Sequence, residues 1–417
     1  MQYALPHYGD IVMPLTQTPP DRLHGLDALR GGALLLGVVL HASLSFFPTQ
    51  IWIVGDDSTS IGAAWLFFAI HIFRMTAFFL IAGLFAHMML SRRGWLGFLK
   101  DRVIRIGGPL ATFWTPVMAG IITALVWNAH IQGWVTPGAE PPPPPTYDWT
   151  NFPLTHLWFL YVLLIFYAAA LILRSPFAML DRSGAWGRLV DRLTGAVTGP
   201  WTPILLAIPT AWAFWQDPAW VAFFAVPTPD EGIVPDTAAL IAFGLAFGYG
   251  FLLDRRRDLL NRIAQWSPIF VGVAVTAGVA GYILAGGPNL EPMVEPTMDK
   301  AIAAGVMALA VQSSALAAMG LCIRFLSGHS PVRRYLADSS YWVYILHLPL
   351  VMLAQVWIQD WAGPWWLKLA GVSLGVMAVC LISYELLIRH TFMGRWLNGR
   401  RVPWRRSPPQ PTAAPAE

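Results

Sequence analysis

Ten apolar runs, at 26–46, 61–90, 106–127, 154–173, 201–224, 234–253, 265–286, 301–323, 338–357 and 366–388, recur along the chain with short polar connections between them. Each is near the length that crosses a hydrocarbon core. Backbone N–H and C=O groups find no water inside a bilayer, so such runs fold as helices that close their hydrogen bonds internally. The prediction is an all-α, polytopic membrane bundle of about ten transmembrane helices. Composition agrees, since 56% of the 417 residues are hydrophobic and only 12% charged, outside the mix of soluble globular domains. The run at 201–224 holds Pro209, Gln216, Asp217 and Pro218. It predicts a shorter span ending near Trp215, then an interfacial segment carrying Trp220.

Basic residues orient the bundle. Of the 27 lysines and arginines, all but Arg30, Arg74, Lys300 and Lys368 fall in the N-terminal segment, the connections after the second, fourth, sixth and eighth runs, or the C-terminal tail. The alternate connections are acidic and proline-rich, with Asp56, Asp57 and the stretches 140–148, 217–236 and 291–299. The positive-inside rule places the basic connections and both termini in the cytoplasm. The proline run 141–145 predicts a stiff extended spacer. No internal repeat is visible. The chain divides into a cytoplasmic N-terminal segment 1–25, a transmembrane domain 26–390 and a cytoplasmic, mostly disordered tail 391–417.

Several classes are disfavoured. The first 25 residues lack the pattern of a signal peptide, so the first helix is expected in the mature protein. Cys322 and Cys380 lie in apolar runs with no second pair at ligand spacing, so neither a disulfide nor a metal is expected. The net charge of +4 does not point to nucleic acid, because the arginines are scattered among short connections rather than gathered on one face.

Ionisable residues inside a membrane span are functional candidates. Arg30, Arg74, His41, His71 and His347 are such residues. On an ideal helix Asp27, Arg30 and His41 share a face, their directions agreeing within about 40° and 20°, and Arg30 and His41 are about 16 Å apart along the axis. The pattern fits a polar path across the membrane. It fits equally an Arg30 that reaches lipid phosphates, offset by Asp27, with a neutral hydrogen-bonded His41. His71 and Arg74, three apart, share a face and can meet His41 in one cavity, or be satisfied by backbone carbonyls. Tyr344 and His347 share a face with Ser340 a turn earlier, a pattern that a structural hydrogen-bond network explains as well. Arg102 and Arg105 suit phosphate, yet topology also demands basic residues there. Trp158, with His156, fits an aromatic belt as well as a binding site.

Read in order, Arg22-x4-Asp27-x2-Arg30-Gly31 with His41 eleven residues on, the stretch from Phe73 through Arg74 to Gly83, Arg102-x2-Arg105, His156-Leu157-Trp158, and Tyr341 through Tyr344 and His347 to Pro349 resemble the signature stretches of the membrane acyltransferase 3 family. The resemblance covers roughly 22–390. Within the family, the stretch around Arg74, the Arg92-Arg93-Gly94 turn and Arg105 to Pro109 are most similar to the branch associated with succinylating osmoregulated periplasmic glucans. Thr76 and Ala82 depart from the family's frequent Pro and Ser.

The resemblance implies an inner-membrane acyltransferase that moves an acyl group, succinyl from succinyl-CoA, onto hydroxyls of a periplasmic glucan. It carries no permanently bound cofactor and takes acyl-CoA as its donor substrate. Its partners are then the acyl-CoA in the cytoplasm, the glucan outside, the bilayer and, by analogy, the proteins that build the glucan. His41 matches the family's essential histidine, with Arg30 its partner and Asp27 beside it in the catalytic set. Arg102 and Arg105, with Arg30 deeper, would hold the donor's phosphates. His41 would act as general base or accept the acyl group, its near-neutral reference pKa allowing proton removal. Arg74 would bind the succinyl carboxylate, and His71, Trp158, Tyr344 and His347 would contact substrate. Two rival classes stand beside this one. A transporter or flippase also places Arg and His in the membrane, although no paired halves with broken helices are visible. A purely structural subunit would tolerate neutral replacements of those charges.

Overall fold

The computed structural model describes residues 23–134, 146–181 and 183–403. Arg22, the proline run 141–145 and the tail beyond residue 403 lie outside the described residues. Among the described residues the fold is all-helical, with no strand beyond an isolated bridge between Pro153 and Glu231.

The α-helices are α1 (His24–Ser43), α2 (Ile61–Arg102), α3 (Gly108–Ile131), α4 (Trp158–Leu180), α5 (Ala185–Val197), α6 (Thr202–Gln216), α7 (Thr237–Leu253), α8 (Asp258–Leu284), α9 (Met298–Leu326), α10 (Pro331–Ile358), α11 (Trp365–Ser383) and α12 (Phe392–Asn398). Among the described residues eight helical stretches are long and apolar enough to cross a membrane. The sequence led to an expectation of about ten, and the difference has two sources. The second and third apolar runs belong to one continuous helical stretch, Ile61–Ile131. In addition, α6 has only 15 residues, about 22 Å of rise against a core of about 30 Å.

Two basic connections read as loops are helical. The one after the second run continues α2, which bends at Gly94 (φ 66°) and passes through a π-helical turn, Val103–Gly107, into α3. The one after the fourth run contains α5, whose Trp186, Leu189 and Leu193 are exposed while Asp191 pairs with Arg255 at 2.6 Å. Trp220, expected at the interface, is fully buried. It stacks on Phe214 and donates its indole N–H to the carbonyl of Ala225. Within the segment 391–417, read as mostly disordered, α12 folds back on the bundle, and Trp396 Nε1 donates to the Ile104 carbonyl at 2.7 Å.

Helix α2 is the central post, packing on α1, α7 and α9. Its crossing with α7 is backbone on backbone, since a Cβ on Gly83 would collide with the carbonyl of Phe247 and one on Gly250 with that of Leu80. Small residues at such a crossing let helices approach where no hydrophobic effect drives them together. Helix α10 packs on α1, α3 and α11. It starts where Ser330 Oγ accepts the Arg333 N–H and Pro331 takes the first position, where its missing N–H costs nothing. The contacts among α1, α2 and α10 bring the polar residues of the three spans into the bundle interior.

Candidate functional site

Two polar regions follow one another through the bundle. The first, at the basic end, is a cavity of about 550 Å³. Its polar lining includes five arginines, Arg30, Arg92, Arg102, Arg105 and Arg400, against two carboxylates, Asp27 and Asp338. Just behind the lining, buried Asp101 ties three guanidinium groups together. Its Oδ1 accepts from Arg93 Nη1 at 2.7 Å and stands 3.4 Å from Arg105 Nε, while Oδ2 accepts from Arg102 Nη2 at 2.8 Å. Arg102 also donates to the Tyr167 hydroxyl at 3.3 Å and lies over the Phe98 and Tyr167 rings. On α1, Arg30 pairs with Asp27 at 3.4 Å, and Arg400 pairs with Asp338.

Local sequence explains this end. The π-helical turn before α3 sends the Gly108 N–H to the carbonyl of Val103, so the Ile104 carbonyl loses its helical donor and takes Trp396 instead. Pro109 has no N–H for the carbonyl of Arg105, which accepts from the Tyr341 hydroxyl at 2.8 Å. Gly399, with φ 76°, leaves room that the Arg105 guanidinium occupies. The last helix thus closes one side of the cavity.

The second region is a histidine cluster around one arginine. His41 comes from the last turn of α1, His71 and Arg74 from α2, His156 from the turn before α4, and Tyr344 and His347 from α10. The His347 ring centroid is 5.2 Å from that of His41 and 5.0 Å from that of His156. His347 Nδ1 donates to the Tyr344 carbonyl at 2.7 Å, which leaves its buried Nε2 as a lone-pair acceptor with no partner. His156 Nε2 donates to the Ile345 carbonyl at 3.1 Å and leaves Nδ1 in the same state. The Nδ1 atoms of His41 and His71 are buried and unpartnered as well. His41, His71 and Arg74 are half-buried, so space remains beside them.

Arg74 reaches into a gap left by a missing side chain. A Cβ on Gly37 would lie 2.5 Å from Arg74 Nη1 and 3.5 Å from His347 Nε2. Among the described residues no carboxylate pairs with Arg74, and its Nε has no partner. Among the described residues this guanidinium therefore faces imidazole nitrogens with no counter-charge beside it.

A proline again sets the neighbouring geometry. Pro349 cannot donate to the carbonyl of Ile345, and that free carbonyl is the one His156 takes. Tyr344 donates its hydroxyl to the His156 carbonyl at 2.6 Å and also lines the arginine cavity, so it stands at the boundary of the two regions. The described non-glycine residues with positive φ are Thr155 (51°), which precedes His156, and Ala225 (53°), which follows Phe224 against the His71 ring. Backbone strain of this kind persists where the surroundings hold it, commonly at functional sites. At the far side of the cluster, Gln355 Nε2 donates to the His41 carbonyl at 3.0 Å, and its Oε1 accepts from Trp52 Nε1 at 2.9 Å.

The structure therefore brings His41, His71, Arg74, Tyr344 and His347 together, and separately Asp27, Arg30, Arg102 and Arg105. It does not place Asp27 and Arg30 beside His41, since they share a face of α1 but line the arginine cavity about 16 Å away along the axis. Trp158 belongs to neither group; it stacks on Phe243 with centroids 5.6 Å apart in an aromatic core, while His156, two residues earlier, joins the cluster. Sequence reasoning missed Asp101, Tyr341 and Arg400. Of these only Tyr341 left a signal, since Pro109 marks the Arg105 carbonyl as one that some other side chain must satisfy.

A family model described as an acyltransferase domain matches residues 23–385. Among curated proteins, glucans biosynthesis protein C of Escherichia coli O81 (strain ED1a) is 22% identical over 401 residues, covering 93% of this chain and 97% of its own length. The proteins of the same name from Escherichia coli (strain K12) and Shigella dysenteriae serotype 1 (strain Sd197) match with the same identity and coverage. No solved structure matches.

Proposed function

The chain belongs to the acyltransferase 3 family of membrane proteins, and from that premise we propose that it transfers a succinyl group from succinyl-CoA in the cytoplasm to a hydroxyl of a periplasmic glucan. In this reading the protein lies in the bacterial inner membrane with the arginine cavity and both termini facing the cytoplasm. The stretch Ile61–Ile131 crosses twice and α6 once as a short span, which gives ten crossings. Proteins that assemble the glucan are its expected partners.

The observation that carries the reading is Arg74, a guanidinium with no carboxylate beside it among the described residues, held among histidines that Tyr344 joins to the wall of a cavity rich in arginine. Arg102, Arg105 and Arg30 hold the phosphates of the donor by charge-assisted hydrogen bonds, with Asp101 and Asp27 fixing their positions. The pantetheine arm runs past Tyr344 toward the cluster. Arg74 takes the terminal carboxylate of the succinyl group, which in a low-dielectric site needs a cation. The glucan hydroxyl oxygen then bonds to the thioester carbonyl carbon, and the C–S bond breaks. The hydroxyl proton passes through His41 to the departing thiolate, so the products are the ester and free CoA. His347 and His156, each fixed as one tautomer by a backbone carbonyl, keep acceptor nitrogens turned into the site. A route through an acylated His41 uses the same groups in two steps.

The test is succinyl transfer to a purified periplasmic glucan by the protein in lipid, wild type against a folded His41→Ala variant. Transfer by wild type alone supports the reading. If neither protein transfers, although both fold, and no other acyl-CoA is consumed, a transporter of anionic or acylated substrate replaces it.

A further inference from the structure

The acidic end of the bundle holds a second cavity, of about 270 Å³, that the mechanism above does not use. Its lining includes Ser45, Trp52, Asp57, Asn128, Gln132 and Trp134. Two features set its chemistry. None of the lining residues is Lys, Arg or His, the opposite of the donor cavity, and Lys368 behind the wall is already paired with Asp56 at 2.7 Å, so an anionic ligand finds no free counter-charge. Two deeply buried polar side chains also lack a full complement of partners. Asn128 is 1% exposed; its Nδ2 donates to the Ile53 carbonyl at 3.2 Å and its Oδ1 accepts nothing. Ser45 is 4% exposed and its Oγ is unpartnered. Buried polar atoms left open in this way are costly unless a ligand or water completes them.

The aromatic walls come from defined turns. Helix α3 ends at Gly133 (φ 68°), where the Trp134 N–H reaches back to the Ala129 carbonyl at 2.9 Å, the closure of a helix by a left-handed glycine. That turn sets Trp134 at the rim, 61% exposed. Trp52, which lines the same cavity, also borders the histidine cluster. Its ring centroid is 6.1 Å from that of His41, and it holds Gln355, which in turn holds the His41 carbonyl.

We propose that this cavity is the acceptor subsite and that it seats a neutral sugar ring of the glucan. The indoles of Trp134 and Trp52 cover C–H faces of the sugar, the exposed Asp57 and Gln132 side chains hydrogen-bond its hydroxyls, Asn128 Oδ1 and Ser45 Oγ accept further ones once their side chains turn out of the wall, and the ring lies beside the Trp52 that borders His41. The inference rests on the acyltransferase reading for what happens to the sugar, but not for whether it binds.

The experiment measures equilibrium binding of cellotetraose, without donor, to the full-length protein in lipid nanodiscs. Wild type is compared with Trp134→Ala, at an exposed position, and with Asn128→Ala. Succinyl-CoA binding and thermal melting are measured in parallel as controls for folding. The expected result is saturable binding by wild type, weakened at least tenfold in Trp134→Ala, whose melting and donor binding stay at wild-type values. Tetragalacturonate, of equal length but anionic, is expected not to compete. Absence of cellotetraose binding by wild type, equal binding by both variants, or equal competition by tetragalacturonate would overturn the proposal. Binding at this site by a protein that never transfers succinate would leave the subsite standing and remove the acyltransferase reading. Transfer that both variants perform with unchanged acceptor KM would do the reverse.

Discussion

Arginine serves two opposite ends in this molecule. In the basic cavity four of the five lining arginines have a carboxylate partner, Arg30 in Asp27, Arg102 and Arg105 in Asp101, and Arg400 in Asp338; Asp101 also holds Arg93. In the histidine cluster Arg74 has none among the described residues, and the imidazoles around it keep open nitrogens. Breaking a buried pair leaves an uncompensated charge and destabilises, whereas neutralising a charge that had no partner relieves desolvation. The first region is therefore built to be stable when empty. In the proposed function the second takes its counter-charge from the substrate.

The widest consequence of that contrast is catalytic. His41→Ala is expected to lower succinyl transfer by about 10² to 10⁴, the usual range for a lost acid–base group, with succinyl-CoA binding retained because the phosphate-holding arginines are elsewhere. A variant that transfers at near wild-type rate would dissolve the distinction between the regions. Next is Arg74→Met, expected to reduce succinyl transfer about 100-fold, equivalent to about 2.7 kcal/mol, and acetyl transfer much less. The same variant should melt no lower than wild type, since it removes a half-buried cation that has no carboxylate beside it among the described residues. A lower melting temperature would show that Arg74 has a partner in the resting protein after all.

Asp101→Asn should move in the opposite sense, losing about 2 kcal/mol of stability because three guanidinium groups share the lost charge. Donor KM in transfer assays should rise with kcat little changed; an unaltered melting curve would show that the Asp101 knot is ornamental. Gly37→Ala puts a methyl where Arg74 Nη1 lies 2.5 Å away; a loss of about tenfold in succinyl transfer is expected, on the order of 1.4 kcal/mol, with donor affinity intact. The smallest effect is that of Gly399→Ala, about 1 kcal/mol of stability from the positive φ, read by thermal melting. A larger fall in donor affinity than in melting temperature would show that the Arg105 guanidinium, not the backbone, is what Gly399 accommodates.

Much of this was legible beforehand. Every apolar run contains a helix, although the one at 201–224 leaves α6 at Gln216, and of the five residues that looked out of place in the membrane, His41, His71, Arg74 and His347 come together while Arg30 lines the arginine cavity. What periodicity could not supply was depth. It put Asp27, Arg30 and His41 on one face, correctly, but a shared face over eleven residues spans two separate regions. It also could not supply partners remote in sequence. Asp101 is one acidic residue among basic ones in a stretch that reads as a loop, and its value depends on a helix continuing through it. Arg400 and Trp396 precede a proline-rich tail whose composition coloured the reading of α12, a helix of 7 residues held by packing rather than by propensity. His156 and Trp158 sit two apart, and only the freed Ile345 carbonyl tells which of them faces the site.

In the proposed function, the depth of Arg74 also places the acyl carboxylate within the membrane's electric field. Moving one elementary charge across the whole field corresponds to about 2.3 kcal/mol per 100 mV. With the arginine cavity on the negative, cytoplasmic side, a succinyl group travelling from it to Arg74 descends part of that drop, and a neutral acetyl group does not. An energised membrane would then favour delivery of the anionic acyl group over the neutral one, so the resting potential itself becomes a selectivity element of the enzyme.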